Sequence, residues 1–173
     1  MTRRADVDYN TGRYGNGSSR QIGKYGWEAV KRYTMISGLW NVCIKVPDLT
    51  RELEFHRAIG NQIVLDETFT VGGEECRIPL VKMGDKYLHL AEKLVYEEHL
   101  EKPLPYGLAH IVYLSSQFDA DLACCLKAGA TQICEPLEVS AGFGERKVAF
   151  LRSPNGWLFE IAKIYRHGVP EVA

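Results

Sequence analysis

With 173 residues, 46% of them hydrophobic, the chain is long enough to bury a sizeable core. Its formal net charge is −1, with acids and bases mixed along its length, which leaves no electrostatic footprint for nucleic acid or an anionic membrane. No run approaches the ~18 apolar residues of a membrane span, and the basic N-terminus lacks the apolar segment of a secretory signal. Cys43, Cys76, Cys124, Cys125 and Cys134 form no C-x-x-C pair, so reduced thiols in a soluble, cytoplasmic protein with a small-molecule partner are expected.

Residues 1–38 read as an N-terminal arm. Its first part is rich in Gly, Arg, Asn, Ser and Tyr without apolar periodicity, and Trp27, Val30, Tyr33 and Met35 suggest a short helix that covers an edge of the domain or a second subunit. From Leu39, Val42, Ile44 and Val46 alternate with Asn41, Cys43 and Lys45, the period-two pattern of a half-buried strand, and Asn41 points away from the apolar face. Pro47 and Asp48 end that strand. Asp48 or Thr50 then caps a helix whose Leu49, Leu53, Phe55 and Ile59 line one side before Gly60. Strands are predicted at 61–68, 74–83 and 86–92, with Gly72-Gly73 and Gly84-Asp85 as turns. In the last of these, Leu88 and Leu90 share one face and Tyr87, His89 and Ala91 the other.

The charged segment 93–106, with Pro103 and Pro105, reads as a linker holding one helical turn. After it the order repeats: a strand at 107–114, a helix at 117–128, and strands at 131–136, 146–152 and 157–163. Residues 165–173 read as a tail. The repeat is visible in register. Gly60 lies 19 positions after Asn41 and Gly129 lies 19 after His110, with Leu53 and Leu122 at the same offset. Each copy also ends in a strand bearing a metal-capable side chain, His89 at 48 positions after Asn41 and Glu160 at 50 after His110. Parity places Leu158, Glu160 and Ala162 on one face and Trp157, Phe159 and Ile161 on the other, and it groups His110 with Leu108 and Val112, apart from Ala109 and Ile111. Asn41, His89, His110 and Glu160 can then face one concavity. His56 reads as a packed helix residue, and Val139 to Glu145 as a surface loop, with closure over a substrate as the alternative.

The doubled order of strand, helix and three strands, opening with VCIKVPDLTRELEFHRAIG and closing with VAFLRSPNGWLFEIAKI, resembles the vicinal oxygen chelate superfamily over about residues 39–163. The resemblance implies an α+β domain at 39–164, with modules 39–92 and 107–163. These two tandem βαβββ modules would form one open eight-stranded cup, the glyoxalase/dioxygenase-like fold. It also implies a divalent metal at the positions of Asn41, His89, His110 and Glu160. His89, His110 and Glu160 match that pattern as ligands, whereas Asn41 stands where a His is usual, and a neutral amide is a poorer ligand for borderline metals. Asn41 is therefore auxiliary or substrate-facing. Paired cups in the family imply a homodimer.

Two His and one carboxylate form the set used by non-haem Fe(II) oxygenases, which favours a dioxygenase-like reaction on a small substrate with adjacent oxygens, with Fe2+ before Zn2+, Mn2+, Ni2+ or Co2+. A glyoxalase-type lyase or an epimerase or isomerase, which needs a base beside a carbonyl, is the alternative; a metal-free binding or resistance protein is another. Glu160 and Tyr87 are the catalytic candidates, Tyr87 because it shares the face of His89. Tyr113 fails the same test against His110. Arg77, Lys82 and Arg152 reach substrate only where parity turns them into the cup.

Overall fold

The computed structural model describes residues 36–71 and 73–170. The chain divides into two units, Met1–Tyr33 and Thr34–Ala173, and the described residues belong to the second. The arm before Ile36, with the helix expected around Trp27, lies outside the described residues.

The first module contains β1 (Ile36–Lys45), α1 (Leu49–Ala58), β2 (Gln62–Val71), β3 (Glu74–Met83) and β4 (Lys86–Ala91). A single 3-10 turn at Glu97–His99 interrupts the linker. The second module contains β5 (Gly107–Ser115), α2 (Phe118–Lys127), β6 (Thr131–Gln132), β7 (Leu137–Ala141), β8 (Gly144–Arg152) and β9 (Leu158–His167). All nine described strands join one open, mixed sheet in the order β2-β3-β4-β1-β5-β9-β8-β6, with β7 also on β8. The first strand of each module pairs in parallel with its last, β1 with β4 and β5 with β9, and the modules meet along the antiparallel β1–β5 ladder. Since β6 and β7 both pair β8, they occupy one strand position broken around Pro136, and the sheet keeps the eight positions of a duplicated four-strand unit. A proline lacks the N–H that a continuous ladder needs there.

Both helices form for the same local reasons. Asp48 accepts a hydrogen bond from the Arg51 amide at 2.9 Å and starts α1, while Glu92 accepts from Leu49 N at 2.8 Å. Gly60 and Gly129, at φ of +88° and +96°, follow the last turns in the left-handed conformation that glycine adopts without a Cβ clash. Leu49 and Leu53 of α1 pack on Val46, Val81 and Leu90, and Phe118 of α2 packs on Ala149, Leu151, Phe159 and Ile161. Burying one such leucine stabilises the fold by roughly 1.5–3 kcal/mol. The opposite face of the sheet carries the largest cluster, with Cys43, Ile78, Leu80, Tyr87, Val112, Val148, Phe150 and Ala162. Both faces are thus covered, and the polar residues on the concave one are exceptions within an apolar wall.

Four readings are corrected. Val139 to Glu145 is not a surface loop: Leu137–Ala141 is β7, which pairs β8 through Leu137↔Val148 and Ser140↔Glu145, and Gly142 belongs to the turn between them. The strand expected at 131–136 shrinks to Thr131–Gln132, and β9 continues to His167 instead of ending at 163. The parity placing Leu108 beside His110 fails because the β1–β5 register slips between Cys43↔His110 and Ile44↔Leu108. That bulge buries Ala109 and leaves Leu108 66% exposed.

Candidate functional site

The central strands carry the polar residues of the concave face. In register, Asn41 lies between Tyr87 of β4 and Val112 of β5, Cys43 lies between His89 of β4 and His110 of β5, and Glu160 of β9 adjoins Val112 and Phe150. Asn41, His110 and Glu160 are buried, and His89 is half-buried. His110 and Glu160 are in contact, with Nε2 to Oε2 at 3.3 Å. The other ring nitrogen of His110, Nδ1, lies 2.9 Å from the Tyr96 hydroxyl. His110 Nε2 and the Asn41 amide oxygen are buried with no protein hydrogen-bond partner. A buried polar atom in that state costs about 1–3 kcal/mol, so two on one concave face mark a place built for a partner.

Tyr96 comes from the linker, and an ion pair holds it in place. Lys45 donates to Glu97, and Glu97 accepts from the Leu94 and Leu104 amides at 3.1 and 3.2 Å. Burial opposes the charge on Glu97, but Lys45 and these amides together hold its carboxyl below its ordinary pKa. The Tyr96 ring, 1% exposed, packs 4.4 Å from Phe150, and burial, with Cys43 and Glu160 adding to it, pushes its phenol well above its ordinary pKa. It therefore stays protonated. The tautomer that places the proton on His110 Nδ1 donates to Tyr96 and leaves a lone pair on Nε2, the state a metal ligand requires.

Burial, then the fields of His110 and Arg146, lowers His89 to about 3, so its imidazole is neutral at physiological pH. The Cys43 thiol is pushed up by burial and then by Glu160 and Glu97, which keeps it protonated and unreactive. Arg146 of β8 is 3% exposed, with its guanidinium 4.0 Å from the ring centroids of both Trp40 and Phe143. Its Nη2 donates to the Phe143 carbonyl at 2.7 Å. Burial lowers Arg146 to about 10, with Glu160 opposing the shift, and the group remains a cation at neutral pH.

These residues surround a cavity of about 530 Å³, counting its mouth, lined by Trp40, Phe143 and Phe150 with Asn41, His89, Arg146 and Glu160. A neighbouring space of about 350 Å³ has His89, Tyr96, His110 and Glu160 in its wall. All four candidate ligands thus line one of two spaces that share His89 and Glu160. Among the described residues, however, no three of His, Cys, Asp and Glu gather into a metal-holding cluster: His110 and Glu160 touch, and His89 does not close on them. The donor set fits a divalent metal in kind, with two imidazoles, one carboxylate and an amide oxygen left without a protein partner.

Tyr87 is buried on the concave face, but its hydroxyl donates to the Pro170 carbonyl, and it lines neither space. Tyr113 packs on the opposite face against Trp157 and Phe159. Arg77 is held by Asp66 through two 2.8 Å hydrogen bonds at the edge of the smaller space. His56 is buried on α1, with Nδ1 2.9 Å from the Asn61 amide nitrogen. Arg146 and Tyr96 are the residues that sequence reasoning missed. Counting back by two from Phe150 and Val148 puts Arg146 on the concave side; nothing local in a charged linker marks Tyr96.

No protein-family model matches the chain, and no curated protein does. Solved structures do. A variant of methylmalonyl-CoA epimerase from Streptomyces coelicolor, in complex with 2-nitronate-propionyl-CoA, is 22% identical with a TM-score of 0.60, over 76% of this chain and 99% of that one. The Mycobacterium tuberculosis methylmalonyl-CoA epimerase is 20% identical with a TM-score of 0.58, over 76% and 91%. A hypothetical protein from Bacillus halodurans is 20% identical with a TM-score of 0.59, over 75% and 96%. The chain shares the fold of these structures, the α+β glyoxalase/dioxygenase-like fold. No described helix is long and apolar enough to cross a membrane.

Proposed function

We propose that this protein is a divalent-metal-dependent enzyme acting on a small molecule through two adjacent oxygens, with His89, His110 and Glu160 as metal ligands and Asn41 as an auxiliary donor. The observation that carries the reading is His110, whose Nδ1 is engaged by Tyr96 while its buried Nε2 meets Glu160 without a hydrogen bond. Bound there, a metal would supply Lewis-acid activation of the substrate oxygens. The chain's own residues do the rest. Tyr96 fixes the angle of the His110 ring, Trp40, Phe143 and Phe150 exclude water, and Arg146 offers a fixed positive charge. Tyr87 has no catalytic role in this reading, because its hydroxyl donates its hydrogen bond to the Pro170 carbonyl and it lines neither space.

A donor set of two His and one carboxylate, with only an amide as the fourth member, favours dioxygenase-like chemistry with Fe2+. Arg146 in the same cavity supports a second reading, an epimerase or isomerase, because a buried cation stabilises the oxyanion that develops when a proton leaves the carbon beside a carbonyl. The test begins with metal content after reconstitution with Fe2+, Zn2+, Mn2+, Ni2+ or Co2+; His110→Ala and Glu160→Gln are expected to lose it and Asn41→Ala to weaken it modestly. Full metal occupancy in the first two variants refutes the site. Oxygen uptake with catechols or 2-oxo acids selects the dioxygenase, oxygen-independent proton exchange selects the isomerase, and tight ligand binding without metal or turnover selects a binding protein.

A further inference from the structure

Arg146 is the one strongly polar group of the larger cavity that the metal reading does not use as a ligand. Ninety-seven per cent of its surface is buried, its guanidinium sits between two aromatic rings, and its Nε has no hydrogen-bond partner. Among the described residues the one carboxylate on the cavity wall, Glu160, is turned to His110 at 3.3 Å and forms no ion pair with Arg146. A cation taken out of water costs several kcal/mol unless an anion and hydrogen bonds compensate it. The rings of Trp40 and Phe143 offset part of that cost and hold the fork still, leaving it preorganised for an oxyanion. Apart from Asn41 and His89, the rest of the wall is aliphatic or aromatic, with Phe69, Ile78, Leu80, Leu137, Val139 and Val148 among it.

We propose that Arg146 anchors an anionic oxygen of the substrate, and that the substrate class is a small organic acid with an apolar body whose carboxylate adjoins a second oxygen. The proposal takes from the functional reading above only that this cavity is the substrate site. A neutral compound of the same shape would leave the guanidinium without an anion in hydrogen-bond contact, so discrimination comes from Arg146 and not from the apolar walls.

The test uses the full chain, stripped with EDTA, titrated with benzoylformate and with its neutral methyl ester, and read by calorimetry and by tryptophan fluorescence, since Trp40 forms one side of the clamp. The acid is expected to bind about tenfold or more tightly than the ester, the scale of one hydrogen bond to a charged group. Arg146→Met is expected to abolish the preference with metal content unchanged. Arg146→Lys, which keeps the charge and loses the planar fork, is expected to retain only part of it. Absence of an acid preference in the wild type, including failure of the acid to bind, overturns the proposal, as does a full preference in either folded variant. Should no metal bind at His110 and Glu160 while the acid preference persists, the metal reading fails and the role of Arg146 stands.

Discussion

Replacing Tyr96 by Phe removes one oxygen atom and leaves the ring in its packing. The hydroxyl contacts His110 Nδ1 at 2.9 Å, and Tyr96 is 1% exposed, so water cannot take its place without rearrangement. The contact of the ring with Phe150, at 4.4 Å between centroids, is retained. The cost is therefore that of leaving a buried ring nitrogen unpaired, about 1–3 kcal/mol. For a chain of this size, each kcal/mol lowers the melting temperature by roughly 2–4 °C. Urea unfolding of the metal-free protein measures this term alone. Metal titration of the folded variant measures a second one, because a His ring freed of its outer hydrogen bond loses about 10–100-fold in metal affinity. A Tyr96→Phe protein with wild-type stability and wild-type metal affinity would refute the argument that the linker positions His110. A loss of stability with unchanged affinity would confine Tyr96 to a structural role.

Leu53→Ala, at a position 1% exposed on the sheet-facing side of α1, is expected to cost about 2–5 kcal/mol in urea unfolding without altering metal content; a cost under about 1 kcal/mol would show that α1 is not held by this contact. Asp66 is held below its ordinary value of 3.8 chiefly by its hydrogen bonds from Arg77. Because its folded pKa is the depressed one, the contribution of the pair is present above pH ~4 and is lost as pH falls through the folded value. With the side chains 41% and 27% exposed, solvent screening keeps that contribution under about 1 kcal/mol, and Asp66→Asn should remove that share, and no more, of the loss of stability on acidification. Tyr106, Leu108, Trp157 and Tyr165 are 65%, 66%, 45% and 54% exposed, and light scattering at micromolar concentration is expected to give a homodimer; a monomer refutes that expectation.

The duplication was legible because it leaves local marks. Gly60 and Gly129 each close a helix at the same offset, and strand parity in β4 and β9 depends only on alternation along one strand, so Tyr87, His89, Leu158 and Glu160 fall on the concave face as counted. The same marks misled where a local signal had two meanings. Gly142 and Gly144 suggested a loop, although Leu137 and Val139 in front of them already alternate with Glu138 and Ser140, and Leu137 and Val139 line the cavity.

Pairing across the sheet and the path of the linker were decided only in three dimensions. A one-residue slip between β1 and β5 exchanges Ala109 for Leu108 on the buried side, and no property of either strand alone sets it. Tyr96 reaches His110 because Lys45 and Glu97 pin a charged segment over the first strand, a contact between residues 52 positions apart. Arg146 is held in the cavity wall because Trp40 and Phe143, from β1 and the β7–β8 turn, each bring a ring centroid to 4.0 Å from its guanidinium. Sequence periodicity tells which way a side chain points from its own strand. What it meets there depends on strands far away in the chain, and the chemistry of this cavity lies in those meetings.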